Sequence, residues 1–217
     1  MENQRYVGMR LAVFGATGGI GQCLVEQALT KGHTVTAPVR NPAKMTTTHA
    51  RLRVIPCDAL DPVCVSAAVE DHDVVLCALG VGVQQRTTFF SASTRNIVTA
   101  MEDKSVRRLI FVSNYCVLSE TPRDVFGKTM LFLTRMYLRN VLPDQRQALE
   151  EVRQSHLEWV VVRPLALTNA PAQGAYRIAL DGLPPRGRQI SRADVAEFML
   201  SQLTSRQYLR MIPALAY

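Results

Sequence analysis

The stretch GATGGIG at residues 15–21 decides the fold of this 217-residue chain. It follows the apolar run Leu11 to Phe14 and precedes a segment whose apolar residues recur at helical spacing. In this position Gly15 permits a tight turn, Gly18 lets the backbone approach an anion, and Gly21 allows close helix packing. The start of the helix offers unpaired N–H groups and a positive dipole end. The stretch predicts a turn that binds the pyrophosphate of a dinucleotide; the alternative is a glycine turn with only a structural role.

Short apolar runs rich in β-branched residues recur along the chain, with helical stretches between them. This alternation predicts parallel strands joined by crossover helices, and continuous apolar runs are typical of strands buried on both faces. We therefore expect one α/β domain over residues 1–217, a Rossmann-type, doubly wound parallel sheet with helices on both faces. The expected strands are Leu11 to Phe14, Thr34 to Val39, Leu52 to Ile55, Val74 to Ala78, Leu109 to Val112 and Trp159 to Val162.

The composition argues against several classes of protein. Hydrophobic residues make up 47% of the chain and charged residues 20%, as in ordinary globular proteins. The five cysteines are odd in number and include no CxxC pair, which predicts neither a disulfide framework nor a metal site. No secretory signal or membrane-spanning run is recognised, so a cytoplasmic location is expected. The net charge of +7 is carried by scattered arginines, which favours a surface that attracts small anions over a nucleic-acid interface.

The residues after the second strand indicate which dinucleotide is bound. An NAD-preferring site usually places an acidic residue about 20 positions beyond the glycines. This chain instead has Arg40, followed by Lys44. Arg40 can bind a 2′-phosphate with paired hydrogen bonds and stack on the adenine. NADP(H) is therefore the expected cofactor and NADH is less favoured; the alternative is that Arg40 is an ordinary surface arginine.

Further cofactor contacts follow from the geometry of such sheets, in which ligands bind beyond the carboxyl ends of the strands. We expect contacts from the glycine turn, from the end of the second strand, and from the residues after the third to sixth strands, all facing one crevice. The predicted cofactor-binding residues are Gly15, Thr17, Gly18, Gly19, Ile20, Arg40, Lys44, Asp58, Ala59, Leu79, Gly80, Ser113, Pro164, Leu165 and Ala166.

A second region of interest is the apolar and basic segment from Val125 to Leu142. We interpret it as an amphipathic helix that covers the substrate cleft or forms a dimer contact, with a membrane surface or a partner protein as the alternatives. The substrate cleft is expected from about residues 114–190. Ser191 is expected to cap a helix from about Arg192 to Leu203, followed by a short closing segment at Met211 and Ile212.

The chain resembles the atypical short-chain dehydrogenases/reductases, and within them the biliverdin IXβ reductase/flavin reductase group. The resemblance implies a Rossmann fold, NAD(P)H as cofactor, a monomer or homodimer, and reduction of a flat conjugated small molecule such as a flavin, a quinone or a biliverdin-like tetrapyrrole. Besides the glycine turn, it is carried by VR at 39–40, CDALD at 57–61, RNIV at 95–98, EWVVVRP at 158–164, GAYRIALDG at 174–182 and ISRADVAEFML at 190–200.

The chain departs from these families at the positions that supply a proton. None of its tyrosines has a lysine four residues on, so the usual Tyr-x-x-x-Lys acid is missing. The group's serine near the nicotinamide aligns with Asn114, beside Ser113, and its histidine aligns with Ala166. Ser113 and Asn114 are therefore the catalytic candidates, orienting nicotinamide or substrate while water gives the proton. The alternatives are a non-catalytic NADP-binding sensor resembling the NmrA-like proteins, and an isomerase or tailoring enzyme.

Overall fold

The computed structural model describes residues 8–80, 87–118 and 125–217. Strands and helices alternate as far as the fifth strand, and shorter strands follow the sixth. The first part contains β1 (Arg10–Phe14), α1 (Gly19–Thr30), β2 (Thr34–Val39), a 3-10 turn (Pro42–Lys44), β3 (Leu52–Pro56), α2 (Pro62–Val69), β4 (Val74–Cys77), α3 (Phe89–Asp103) and β5 (Arg108–Val112). The second part contains α4 (Val125–Tyr137), α5 (Leu142–Gln154), β6 (Glu158–Pro164), β7 (Ala166–Thr168), β8 (Arg177–Ala179), β9 (Gln189–Ser191), α6 (Arg192–Ser201) and β10 (Ala214–Ala216).

Within the described ranges, the main sheet has the strand order β3-β2-β1-β4-β5-β6-β10-β8. The pairs from β3 to β10 are parallel, and β8 is antiparallel to β10. The strands β7 and β9 form a separate parallel pair. The order of the first six strands is that of a Rossmann fold, which confirms the predicted fold class. The chain reverses direction across the sheet between β1 and β4, where this fold forms its ligand crevice.

Two layers of helices cover the sheet, because alternate strand residues point to opposite faces. In β1, Leu11 and Val13 pack with α1 and α6, whereas Ala12 and Phe14 pack with α2, α3 and α5. These strand residues are almost completely buried. The continuous apolar runs of the sequence thus correspond to strands buried on both faces. No helix in the described part of the chain has both the length and the apolar character needed to cross a membrane.

The chain between β5 and β6 differs from the prediction of one helix over residues 125–142. The first helix ends at Tyr137, and a second begins at Leu142 with a proline in its first turn. Proline is favoured there because it needs no N–H partner and its φ is already helical. The closing strand also lies at Ala214–Ala216, later than the expected segment at Met211 and Ile212.

The cysteines also differ from the expectation. Cys57, after β3, forms a disulfide with Cys64 in α2, so the prediction that the cysteines form no disulfide is wrong for this pair. An odd number of cysteines means that one must stay unpaired, but it does not exclude a single disulfide. The seven-residue separation of Cys57 and Cys64 allows their sulfur atoms to meet. Cys23, Cys77 and Cys116 are free thiols.

Candidate cofactor-binding site

A cleft of about 680 Å³ lies beyond the carboxyl ends of β1 to β5, within the usual size range of ligand pockets. Most of the predicted site residues line it. They are Gly15, Thr17, Gly18, Gly19, Ile20, Arg40, Lys44, Ala59, Leu79, Gly80, Ser113 and Asn114. The structure therefore brings the glycine turn together with residues that follow four other strands.

The predicted contacts Asp58, Pro164, Leu165 and Ala166 do not line this cleft. The Asp58 carboxylate accepts a hydrogen bond from the backbone N–H of Leu60 at 3.1 Å and shapes the turn before α2. Leu165 is buried against the closing strand β10. Ala166 is the first residue of β7, and the next residue, Leu167, is the one from this strand that lines the cleft.

The glycine turn has the geometry expected of it. Gly15 has φ +81°, and a Cβ there would lie 2.6 Å from the carbonyl carbon of Ala78. A Cβ on Gly21 would lie 2.7 Å from the carbonyl carbon of Gly15. Gly18 donates its N–H to Gly15 O at 2.9 Å and is the N-cap residue of α1, to which it offers no side-chain hydrogen bond. The N–H groups of the first helical turn thus remain available to an anion.

The glycine turn and the basic residues around it form what we call the nucleotide half of the cleft. Its charged side chains are Arg40, Lys44 and Arg192, and no Asp or Glu in the described ranges lines the cleft. The Arg40 guanidinium lies over the ring of Phe89, 5.6 Å from its centroid. In this structure Arg40 therefore stacks on a protein ring, where adenine stacking was expected. The side chain of Asn41 caps the 3-10 turn that carries Lys44.

The other end, which we call the acceptor half, is lined by apolar side chains and two carboxamides. Asn114 Oδ1 accepts hydrogen bonds from the N–H and the thiol of Cys116 at 3.1 and 2.9 Å, so its Nδ2 group is left to donate. The amide oxygen of Gln145 is buried and has no hydrogen-bond partner in the structure. The residues of this half are Phe90, Asn114, Leu138, Val141, Gln145 and Ala148.

A buried carboxylate holds two walls of the acceptor half together. Asp144, in the first turn of α5, accepts hydrogen bonds from the backbone N–H groups of Phe90 and Ser91 at 2.7 and 3.0 Å, and from the Ser91 hydroxyl. These N–H groups belong to the start of α3, whose own N-cap residue Thr88 makes no side-chain cap. Asp144 therefore caps α3 from another helix.

The side chains that usually supply a proton lie elsewhere. Tyr115 donates its hydroxyl to Thr134, burial raises its pKa, and it does not line the cleft. Burial likewise raises the pKa of the Cys116 thiol. This thiol donates a hydrogen bond to Asn114 within the same loop. None of the four histidines, all of which are described, lines the cleft. The acceptor half thus offers hydrogen bonds and apolar surface but no ionisable side chain among its described residues.

A second buried carboxylate fixes the first turn of α6. Asp194 accepts hydrogen bonds from the N–H groups of Gln173 and Gly174, both at 2.9 Å, and from the hydroxyls of Ser191 and Tyr217. Burial alone would raise the pKa of Asp194, but the hydrogen bonds, led by that of Tyr217, outweigh burial and lower it. The predicted cap also forms, since Ser191 Oγ accepts from the N–H of Asp194 at 3.0 Å.

Sequence reasoning missed Arg192 and the walls contributed by α3 and α5. The sequence around Arg192 predicts only the start of a helix, and no local pattern marks this arginine as a cleft residue. The proline at the start of α5 is a helix signal that could have revealed the second helix. No local pattern shows which face of α5 turns to the cleft.

Comparisons with known proteins agree with this geometry. The family model described as NAD(P)H-binding matches residues 15–206. An uncharacterised chloroplastic protein of Arabidopsis thaliana is 29% identical over 203 residues, which are 89% of this chain and 71% of that protein.

Two solved structures show the same fold. A short-chain dehydrogenase/reductase of Veillonella parvula in complex with NADP has a TM-score of 0.77 at 23% identity, covering 96% of this chain and 94% of that one. ChuY, an anaerobilin reductase of Escherichia coli O157:H7, has a TM-score of 0.78 at 20% identity, covering 95% of this chain and 96% of that one. The chain therefore belongs to the NAD(P)H-binding family and has the Rossmann fold of NAD(P) oxidoreductases.

Proposed function

We propose that this protein is an NADPH-dependent reductase that transfers hydride to a flat, conjugated acceptor such as a flavin, a quinone or a biliverdin-like tetrapyrrole. The observation that carries the proposal is the division of the cleft. The nucleotide half has three basic side chains and no carboxylate among its described residues, which suits a multiply charged dinucleotide. The acceptor half is apolar with amide groups, which suits a planar ring system with polar edges.

The preference for NADPH rests on Arg40 and Lys44. Both follow β2, where the adenine ribose of a bound dinucleotide lies in Rossmann folds. A 2′-phosphate there gains charge-assisted hydrogen bonds from the two cations. NADH has only hydroxyl groups at this ribose, and the described lining offers no carboxylate to bind them.

The proposed chemistry needs no acidic side chain. Hydride leaves the nicotinamide of NADPH for the acceptor, a proton from water completes the reduction, and NADP⁺ and reduced acceptor are the products. Ser113 and Asn114 follow β5 at the junction of the two halves, where a hydroxyl and an Nδ2 group can orient the reacting rings. ChuY, an anaerobilin reductase, has the same fold, which supports this acceptor class.

We further propose that residues 1–217 form one NADP(H)-binding domain, whose residues 114–190 supply most of the acceptor half. Residues 119–124 of that range lie outside the described residues. The protein is proposed to act in the cytoplasm as a monomer or homodimer, with a small molecule and not nucleic acid as its partner.

The test is NADPH oxidation, followed by absorbance, against a panel of flavins, quinones and biliverdin, with NADH run in parallel. The variants are Arg40→Ala and, as a matched control, Arg53→Ala, which removes an exposed arginine on β3 outside the cleft. Wild type should prefer NADPH. Arg40→Ala should lose about tenfold in NADPH affinity with little change for NADH, and Arg53→Ala should behave as wild type.

Tight NADPH binding without oxidation by any acceptor would sink the reductase proposal and favour a redox sensor of the NmrA-like type. The sensor hypothesis is favoured by one observation, that none of the described residues of the acceptor half can titrate as an acid.

A further inference from the structure

The side chain of Arg192 lies directly on the glycine turn. Arg192 is the first residue of α6, and a Cβ on Gly19 would lie 2.6 Å from its Cδ and 2.7 Å from its Nε. A side chain at position 19 would therefore require this arginine to move from its place on the turn. Arg192 also lines the cleft beside the start of α1.

Contacts of its neighbours fix the backbone of Arg192. The preceding strand β9 pairs with β7, Ile190 opposite Leu167. The side chain of Gln27 in α1 donates to the carbonyl of Ala193 at 2.9 Å, which ties the first turn of α6 to α1. The guanidinium is thus held at the same end of the sheet as the unpaired N–H groups of α1.

The hydrogen-bonding groups of Arg192 are mostly unused. Its Nη1 donates to Asn169 Oδ1 at 2.6 Å, and the described residues place no carboxylate within ion-pair distance of it. A guanidinium has five N–H donors, so several remain for a ligand. A cation that faces a helix N-terminus without a carboxylate partner is an arrangement that attracts an anion.

We infer that Arg192 binds the diphosphate of the dinucleotide beside the N-terminus of α1. The inference rests on the proposed use of NADPH and adds a cationic side chain to the N–H groups of that helix. It also explains the glycine at position 19, because a residue without a Cβ leaves room for the arginine. It also divides the phosphates between two arginines, with Arg40 at the 2′-phosphate and Arg192 at the diphosphate.

The experiment measures dissociation constants of NADPH and of 2′-AMP, which carries the 2′-phosphate but no diphosphate. Arg192→Met keeps the stem and removes the charge, whereas Arg192→Lys keeps the charge and loses the fork of donors. Arg206→Met is the control, since it removes an exposed arginine outside the cleft. For Arg192→Met we expect NADPH to bind about ten- to hundredfold more weakly and 2′-AMP to bind within about twofold of wild type.

The remaining variants complete the pattern. Arg192→Lys should lose less NADPH affinity than Arg192→Met, and Arg40→Ala should lose affinity for both ligands. Unchanged 2′-AMP binding also shows that the Arg192 variants are folded.

NADPH affinity of Arg192→Met equal to that of Arg206→Met would overturn the inference while leaving the proposed function standing. Equal losses for NADPH and 2′-AMP in a variant with a normal thermal transition would also overturn it, because Arg192 would then not act on the diphosphate. If wild type bound neither NADPH nor 2′-AMP, the proposed function itself would fail.

Discussion

The two halves of the cleft are assembled from different kinds of contact. The nucleotide half is made by one short turn, in which Gly15, Gly18 and Gly21 are shaped by backbone contacts within a few residues and with the end of β4. The acceptor half is made by side chains from α3, α5 and the end of β5. Its main tie joins Asp144 to Phe90 across 54 residues of sequence.

The difference teaches where change is tolerated. At Gly15 and Gly21 of the turn, an added Cβ meets backbone atoms that cannot move aside, so few residues are allowed at these two positions. The acceptor half is lined by side chains, which can change conformation, and one of them is Gln145, whose amide oxygen has no hydrogen-bond partner. We therefore expect substitutions in the nucleotide half to have larger effects than those in the acceptor half.

The largest effect is expected for Gly15→Ala. An alanine there must adopt φ +81°, at a cost of about 1–2 kcal/mol, and its Cβ collides with the backbone of Ala78. We expect NADPH affinity to fall about a hundredfold, or about 2.7 kcal/mol, in a titration followed by fluorescence. Gly174→Ala is the control, because Gly174 has φ +70° but nothing within 4 Å of an added Cβ. Equal affinities of the two variants would contradict the tightness of the turn.

The next effect is expected at the carboxylate that fixes α6. Asp194→Asn replaces one of two buried acceptor oxygens with an NH2 donor and removes the charge, so the free energy of unfolding at neutral pH should fall by about 2 kcal/mol. For a chain of this size that corresponds to a Tm lower by about 4–8 °C, measured by calorimetry. Asp181→Asn, at an exposed carboxylate of the same region, is the control and should change little.

Acid should remove this difference. The hydrogen bonds lower the pKa of Asp194 in the folded state below the unfolded value of about 3.9. Its stabilisation is therefore complete above about pH 5 and is lost as the pH falls through the lowered pKa. The Tm gap between wild type and Asp194→Asn should narrow progressively as the pH falls below the unfolded pKa, and a gap that widened in acid would contradict this role.

A smaller effect is expected in the acceptor half for Gln145→Phe. The ring would occupy part of the cleft and remove no hydrogen bond of the amide oxygen, which has no partner. We expect kcat/KM for the acceptor to fall about tenfold, or about 1.4 kcal/mol, while the NADPH dissociation constant stays within about twofold. Gln147→Phe, on an exposed position of the same helix, should leave both unchanged. An equal loss of NADPH affinity in Gln145→Phe would contradict the claim that the two halves of the cleft bind cofactor and acceptor separately.

The smallest effect is expected for Ser113→Ala at the junction. Its hydroxyl lines the cleft, and no residue in the described ranges accepts its hydrogen. We expect the rate of hydride transfer in stopped flow to fall about threefold, or about 0.7 kcal/mol, with NADPH affinity unchanged. Ser66→Ala on α2 is the control. If Ser113→Ala transferred hydride as fast as Ser66→Ala, Ser113 would not be one of the groups that orient the reacting rings.

The same contrast explains what the sequence could predict. The strands, the glycine turn and the position of Arg40 depend on hydrophobic periodicity and backbone sterics, which are local, and the structure agrees with them. The walls from Leu138 to Ala148 depend on how α5 packs against α3, which no local pattern encodes. The cofactor role of every one of these residues stays a prediction until nucleotide binding is measured.

Two features differ from the expectation for identifiable physical reasons. Residues 164–166 do not line the cleft, because β10 continues the sheet beside β6 and covers Leu165. Their contact with the cofactor stays a prediction. The disulfide between Cys57 and Cys64 was missed because the sequence shows only a spacing, and only the fold shows that the two sulfur atoms meet.

The cap that α5 places on α3 has a mechanical consequence. Sliding one helix past the other would leave the Asp144 carboxylate and two backbone N–H groups without partners in an apolar wall, at a cost of about 1–3 kcal/mol for each group. Any widening of the acceptor half to admit a larger ring system should therefore displace the two helices together, as one rigid unit hinged on the sheet.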